Sequence, residues 1–174
     1  MPKASTAAAR ETASTALTRD NLGFLLAKAG QRWNELLYKR FAAAGFAEVR
    51  PSYGSILIPL YEEDGLRLGE IARRARLSKQ AMTTLVRLLE RDGLVERRPD
   101  SSDGRAALVF LTPRAEVFRP VAEAALAHLD RLVEGTLSAT GTRRLETALK
   151  ELVELGEADG DSGDDRAAEW SVDS

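Results

Sequence analysis

The stretch Gly65–Thr112 reads GLRLGEIARRARLSKQAMTTLVRLLERDGLVERRPDSSDGRAALVFLT and is the most informative part of the chain. Apolar residues recur at helical spacing in two successive blocks, Leu68 to Ala75 and Met82 to Leu89. Between the blocks, Ser78 is a favourable N-cap residue, so a second helix is expected to begin there after a tight turn. These features predict a helix-turn-helix.

The same stretch continues beyond the second helix into two strand-like runs. Asp92-Gly93 is a helix stop, and Leu94–Arg98 and Ala107–Leu111 follow it as predicted strands. The segment between them, Pro99–Arg105, is rich in turn-forming residues and predicts a polar loop. A helix-turn-helix followed by a β-wing with an arginine in its loop indicates a DNA-reading unit.

The second helix carries side chains that suit contacts with DNA. From a helix in the major groove, a glutamine can pair with adenine, and a threonine can touch a thymine methyl group or a phosphate. The residues predicted to make such contacts are Ser78, Lys79, Gln80, Thr83, Thr84 and Arg87.

The predicted wing resembles that of the MarR family of bacterial transcriptional regulators. The matching residues are Arg97-Arg98-Pro99-Asp100, Asp103-Gly104-Arg105 and Leu111-Thr112. Leu77–Gln80 and Leu88–Val95 resemble the family's recognition helix and its exit, and a looser similarity runs from about Asn21 to Leu155. The resemblance implies a mainly α fold with a small β-wing, in which a winged helix-turn-helix domain is joined to a helical dimerisation region.

The resemblance also implies roles for the wing residues. Arg105 would enter the minor groove, where narrow A·T tracts attract guanidinium groups, and Asp103 would orient it through a carboxylate–guanidinium pair. Alternatively, Asp103-Gly104 only forms the turn and Arg105 is solvated. Contacts to phosphates, which position a protein without reading sequence, are expected from Arg73, Arg74, Arg97 and Arg98.

The distribution of charge agrees with DNA binding although the net charge of the chain is −2. Residues 156–174 contain seven acidic residues and one arginine, a net charge of −6. Gly65–Arg105 contains ten basic and six acidic residues, a net charge of +4. The basic part therefore falls on the predicted helix-turn-helix and wing.

Five segments are predicted along the chain. Residues 1–19 are expected to be disordered or a frayed helical extension, and residues 156–174 an acidic disordered tail. A dimerisation helix is expected in residues 20–50, ending with Gly45 at the C′ position. The winged helix-turn-helix domain spans 51–112, and its first helix, Pro51 to Glu63, should be kinked or shortened by Pro59.

Residues 113–155 are predicted to form C-terminal dimerisation helices. Thr112-Pro113 provides an N-cap followed by proline at the first helical position. The first helix is expected to end at Gly135 or near Leu137-Ser138. Because Gly141 stands where a capping box would have an acidic residue, the last helix is expected to start later, at Thr140 or Thr142.

The long apolar helices favour an intertwined homodimer, and a dimer suits a near-palindromic operator in double-stranded DNA. The family resemblance implies a repressor that a small molecule releases, an aromatic or phenolic acid being one candidate effector. Trp33, Tyr38 and Arg40 are candidate ligand contacts, although packing in the core or at the dimer interface is the favoured role for Trp33 and Tyr38.

Other classes of function find little support in the sequence. With no cysteine and one histidine, His128, the chain offers no thiol chemistry and no metal-ligand spacing, and it has no nucleotide-binding glycine motif. We therefore expect no enzyme activity, no cofactor and no metal. The absence of a secretory signal or membrane span favours a cytoplasmic protein. The alternative function is a winged-helix protein-interaction module that does not bind DNA, and a ligand-degrading enzyme is a distant third.

Overall fold

The computed structural model describes residues 18–154, apart from the side chains of Gly104 and Arg105. In chain order the elements are α1 (Leu22–Ala43), a 3-10 turn (Pro51–Tyr53), α2 (Gly54–Glu62), β1 (Leu66–Arg67), α3 (Leu68–Ala75), α4 (Lys79–Arg91), β2 (Val95–Asp100), β3 (Asp103–Leu111) and α5 (Pro113–Glu154). The predicted mainly α fold with a β-wing is confirmed. The predictions for residues 1–17 and 155–174 lie outside the described residues.

The described chain divides into two compact units, residues 18–129 and residues 130–154. The first contains α1 to β3 and the first part of α5, and it holds the hydrophobic core. Across residues 18–154, no helix is long and apolar enough to cross a membrane.

Helix α1 agrees with the prediction at both ends. The side chain of Asn21 caps its start by accepting a hydrogen bond from the backbone N–H of Gly23 at 2.9 Å. Beyond its end, Gly45 adopts φ +90°, the left-handed conformation expected at C′. The last part of the helix is buried around Phe41, whereas Leu22 near its start is 57% exposed. The apolar side chains in the first part of α1 are thus uncovered in the single chain.

The segment after α1 differs from the prediction of one helix from Pro51 to Glu63. Its first residues form the 3-10 turn, and only then does α2 begin. Tyr53 ends the 3-10 turn with its side chain fully buried, and its hydroxyl donates to Asp92 Oδ2 at 2.6 Å. Pro59, which was expected to kink or shorten the helix, lies inside α2 and has no backbone N–H to donate. α2 itself is short, with nine residues.

The sheet has the antiparallel strand order β1-β3-β2. The sequence did not predict β1, which has two residues and pairs Leu66 with Val109. A strand of this length has too few residues to show an alternating pattern. It exists because β3 offers a pairing edge and because Leu66 is buried against the core.

The predicted loop Pro99–Arg105 is wrong, because both strands extend into it. β2 continues to Asp100 and β3 begins at Asp103, so the turn contains only Ser101 and Ser102. The strand register shifts between Pro99 and Asp100. Such an irregularity tolerates a proline, which has no N–H to donate to the ladder. The turn-forming residues therefore mark a bulged strand end as well as a turn.

The core of residues 18–129 is built from the inward faces of every element. Its large and essentially inaccessible side chains include Tyr53, Ile56, Ile71, Met82, Leu89 and Leu94. Phe118 of α5 packs against Phe41 of α1 with ring centroids 4.9 Å apart, in an edge-to-face arrangement. The helix-turn-helix is therefore anchored in the same core as α1 and the start of α5.

Helix α5 starts as predicted and is interrupted once. Thr112 caps it, its Oγ1 accepting from the N–H of Ala115 at 3.3 Å. Ser138 has φ +65° and ψ 161°, which confirms a break in the predicted Leu137-Ser138 region. The predicted restart at Thr140 or Thr142 is wrong. Ser138 Oγ itself accepts from the N–H of Gly141 at 3.4 Å, so this serine caps the next segment without an acidic partner.

Candidate nucleic-acid interface

Helix α4 is held by a short turn after α3 and by its own apolar side. Arg76 ends α3 in the left-handed conformation, with φ 52°. Ser78 then caps α4 as predicted, its Oγ accepting from the N–H of Ala81 at 3.2 Å. Met82 and Val86 are 1% exposed, so the inward side of α4 is fixed in the core. The opposite side is consequently presented to solvent on a rigid support.

The outward side of α4 carries most of the predicted contact residues. The exposed ones are Ser78, Lys79, Gln80, Thr84 and Arg87, whereas Thr83 is half-buried. The hydroxyls of Thr83 and Thr84 donate to the backbone carbonyls four residues earlier, at 2.8 and 3.1 Å. With their protons committed, these hydroxyl oxygens can still accept hydrogen bonds from a base amino group.

The two arginines of α3 are paired with carboxylates. Arg73 binds both oxygens of Glu70, at 2.7 and 3.0 Å. Arg74 donates to Glu70 at 2.7 Å and also to Glu63 at the end of α2. Hydrogen bonds from Arg73 and then Arg74 lower the pKa of Glu70 to about 2. A phosphate that bound either guanidinium would compete with these carboxylates.

Two arginines of the wing, Arg97 and Arg98, are also paired, each in a different way. Arg97 joins β2 to Glu90 of α4, with Nε–Oε1 and Nη2–Oε2 distances of 2.8 Å each. Arg98 pairs with Glu96 on its own strand, and its guanidinium carbon lies 4.4 Å from the ring centroid of Phe110. The four predicted phosphate contacts are therefore all ion-paired in the free chain.

The wing contains an ionic network that was not predicted from the sequence. Arg67 of β1 donates to Asp100 Oδ2 through Nε at 2.9 Å and Nη2 at 2.5 Å. Asp100 Oδ1 accepts from the N–H and the hydroxyl of Ser102, at 2.8 and 2.6 Å. Asp100 is 7% exposed, and these bonds, from Ser102 first and Arg67 second, lower its pKa to about 2. Because β1 was not predicted, nothing in the sequence indicated that Arg67 would lie beside Asp100.

We expect Asp100→Asn to lower the melting temperature at pH 7 and to make little difference near pH 2. The pKa of Asp100 falls from 3.8 to about 2 on folding. Its charged contacts therefore stabilise the fold fully above pH 3.8, and this contribution is lost as the pH falls through about 2. Melting curves of both proteins over this pH range test the prediction. A difference in melting temperature that stays constant with pH would contradict it.

The predicted Asp103–Arg105 pair stays a prediction. Asp103 is exposed at the start of β3, and Arg105 belongs to the same strand. The side chain of Arg105 lies outside the described residues.

The three candidate ligand contacts on α1 occupy different surroundings. Trp33 is half-buried and packs against the core cluster, and Tyr38 is 43% exposed. Arg40 lines an open cavity of about 360 Å³ between α1 and α5, the other lining residues being Ala44, Pro120, Val121, Ala124 and Ala125. The cavity thus combines small apolar side chains with one guanidinium group.

No cluster of His, Cys, Asp or Glu that could hold a metal ion occurs within residues 18–154. His128 is half-buried on α5.

Comparison with known proteins agrees with this geometry. The MarR family model matches residues 51–107. The HTH-type transcriptional repressor Rv2887 of Mycobacterium tuberculosis is 36% identical over 93 residues, which cover 53% of this chain and 67% of that protein. The chain belongs to the MarR family. Its members are transcriptional regulators rather than enzymes, which confirms the expected functional class.

Solved structures share the fold. The PcaV regulator of Streptomyces coelicolor, in complex with its natural ligand, matches with a TM-score of 0.69 and 20% identity, over 82% of this chain and 99% of that chain. The repressor CouR, bound to a 23-mer DNA duplex, matches with a TM-score of 0.67 and 24% identity, over 80% and 99% of the two chains. Proteins that share this fold thus include a regulator in complex with its ligand and a repressor bound to DNA.

Proposed function

We propose that this MarR-family regulator is a cytoplasmic repressor that binds a specific operator in double-stranded DNA. The observation that carries the proposal is the two-sided structure of α4. Its apolar side is locked in the core, and its outward side presents Lys79, Gln80, Thr84 and Arg87 to solvent. α4 enters the major groove, and the wing reaches the adjacent minor groove through Arg105.

The exposed arginines among the predicted phosphate contacts are accessible to the DNA backbone. Arg73 has a side chain that is 72% exposed, and that of Arg98 is 57% exposed, so both can exchange a carboxylate for a phosphate. Exposed ion pairs of this kind contribute little to stability, so the exchange costs little. These contacts hold the protein on the DNA backbone, while Gln80 and its neighbours on α4 read the bases.

The repressor acts as a homodimer on a near-palindromic operator. The support is the apolar surface left uncovered in each unit of the chain. In residues 18–129 it includes Leu22, Phe24 and Leu25 of α1, and in residues 130–154 it includes Leu145, Leu149 and Val153 of α5. Monomeric proteins rarely expose apolar side chains in such numbers on one element. Light scattering during size-exclusion chromatography should give twice the mass of the chain.

A small apolar acid releases the repressor from DNA by binding the cavity between α1 and α5. Its lining residues Ala44, Val121 and Ala125 suit an apolar or aromatic body, and the exposed guanidinium of Arg40 suits a carboxylate. Occupation of the cavity favours one arrangement of the dimerisation helices. This changes the spacing of the two winged helix-turn-helix domains in the dimer. PcaV, with its bound natural ligand, is a relative of the same fold.

We expect benzoate or a hydroxybenzoate to raise the melting temperature of the wild type and to leave that of Arg40→Gln unchanged. The reason is the loss of the one guanidinium that lines the cavity. Lys39→Gln is the matched control, because Lys39 is an exposed cation on the same helix that does not line the cavity. Equal shifts in the wild type and in Arg40→Gln would exclude this carboxylate site.

Selection of bound sequences from random DNA tests the main proposal. The enriched sequences should form a near-palindrome with half-sites about one helical turn apart, and fluorescence anisotropy should show affinity that falls steeply with salt. If no sequence is enriched, a winged-helix module for protein partners becomes the better interpretation.

A further inference from the structure

Two adjacent arginines of β2 lie on opposite faces of the sheet. Arg97 pairs in register with Val109, which is 0% exposed, so Arg97 lies on the face of the sheet turned toward the core. Arg98 pairs with Leu108 on the other face. Phosphate contacts were predicted for both residues from the sequence, but their surroundings differ.

The pair formed by Arg97 and Glu90 connects two elements. Both guanidinium–carboxylate distances are 2.8 Å, and the side chains are only 39% and 26% exposed. Between α4 and β2 the chain runs through Gly93, which has φ +73°. Glu90 precedes Gly93 and Arg97 follows it, so the ion pair bridges the connection between α4 and β2.

The pair formed by Arg98 and Glu96 connects nothing beyond one strand. Its residues are two positions apart on β2, and their side chains are 57% and 48% exposed. Phe110, over which Arg98 lies, orients the guanidinium without neutralising it.

We propose that Glu90 and Arg97 are positioning residues that fix the wing relative to the recognition helix, and that Arg97 is not a phosphate contact. This inference rests on the proposed function and refines it. The recognition helix and the wing must reach neighbouring grooves of one duplex together, so their relative orientation sets affinity for the operator. The bidentate pair holds that orientation in the free protein and persists in the complex.

The salt dependence of binding separates the two arginines. Each phosphate contact adds about 0.9 to the slope of log K against log salt, because it releases a counterion. We expect Arg98→Gln to lower the slope by about that amount. Arg97→Gln should weaken operator binding roughly tenfold, within the usual range for coupled groups, and leave the slope unchanged. A slope that falls by about one in Arg97→Gln would overturn the proposal.

Substitution of the glutamates distinguishes a positioning role from competition with phosphate, because the two roles predict opposite changes in operator affinity. If Glu90 positions Arg97, Glu90→Gln weakens operator binding without weakening binding to random DNA. If Glu90 merely competes with phosphate, the same substitution strengthens binding, which would overturn the proposal. Glu96→Gln is the matched control and should bind as tightly as the wild type or tighter, because it frees Arg98. The exchange Glu90→Arg with Arg97→Glu should recover most of the affinity lost in the single variants.

Thermal denaturation without DNA tests the role of the Glu90–Arg97 pair independently of the proposed DNA-binding function. Melting temperatures of Glu90→Gln, Arg97→Gln and the double variant form a cycle for the pair. We expect each single substitution to lower the melting temperature and the second to add little to the first. Fully additive shifts would overturn the inference even if the wild type binds its operator. Failure of the wild type to bind any DNA, with a coupled cycle, would refute the proposed function alone.

Discussion

Leu89→Ala is expected to lower the free energy of unfolding by roughly 2–5 kcal/mol, which is typical of a leucine truncated in a packed core. Leu89 lies on the inward side of α4 with 0% exposure. Its removal leaves a cavity beneath the recognition helix that the surrounding side chains fill only in part. Because whole domains are stable by only about 5–15 kcal/mol, the variant should melt far below the wild type. Thermal and urea denaturation followed by circular dichroism measure the change.

Arg87→Ala is the matched control on the outward side of the same helix. Arg87 is exposed, so the melting temperature should stay close to that of the wild type while operator affinity falls. If Leu89→Ala melted like the wild type, the assignment of the inward side of α4 to the core would be wrong.

Arg105→Ala is expected to weaken operator binding by roughly 1–3 kcal/mol, or about 5- to 150-fold in affinity. We expect the loss because the guanidinium is proposed to enter the minor groove, whose negative potential is strongest in narrow A·T tracts. Folding and dimerisation should be unaffected. Fluorescence anisotropy on an operator fragment, alongside a thermal melt and light scattering, tests all three expectations.

Arg32→Ala controls for the general loss of one positive charge. Arg32 is exposed on α1 and pairs with Glu35 of the same helix, outside the helix-turn-helix and wing. Its removal should change operator affinity much less than the removal of Arg105. Unchanged affinity in Arg105→Ala would refute the minor-groove role of the wing.

In the free protein, ion pairs with carboxylates reduce the positive charge that the helix-turn-helix and wing present to solvent. Arg73 and Arg98, two of the proposed phosphate contacts, are each bound by a carboxylate at the surface, so their charges are already partly neutralised. In the proposed complex these arginines exchange carboxylates for phosphates, so the gain in binding free energy is smaller than a count of arginines suggests. Such a surface favours release, which agrees with the proposed release of the repressor by a ligand.

Local sequence signals predicted the helices that present the site. Ser78 caps α4 through a bond to a residue three positions away, and Gly93 stops the helix after it. Both depend on contacts within a few residues, which is why spacing and residue type were sufficient. The same holds for the inward residues of α3 and α4, whose period follows from helix geometry alone.

The wing was predicted less accurately because its limits depend on pairing. Turn-forming residues from Pro99 onward suggested a long loop, yet β2 and β3 continue to Asp100 and Asp103. Whether such residues pair depends on the facing strand, which lies outside any local window. The short strand β1 was missed for the same reason.

By itself the sequence determined that this chain carries a capped helix with a polar outward side, followed by a wing that contains three arginines. The tertiary structure alone decided how those charges are used. It pairs Arg97 with Glu90 across the link to the wing and Arg67 with Asp100 across the sheet. These partners are brought together by the packing of separate elements against one core. Residue type could indicate that an arginine was present, but only packing could assign its carboxylate.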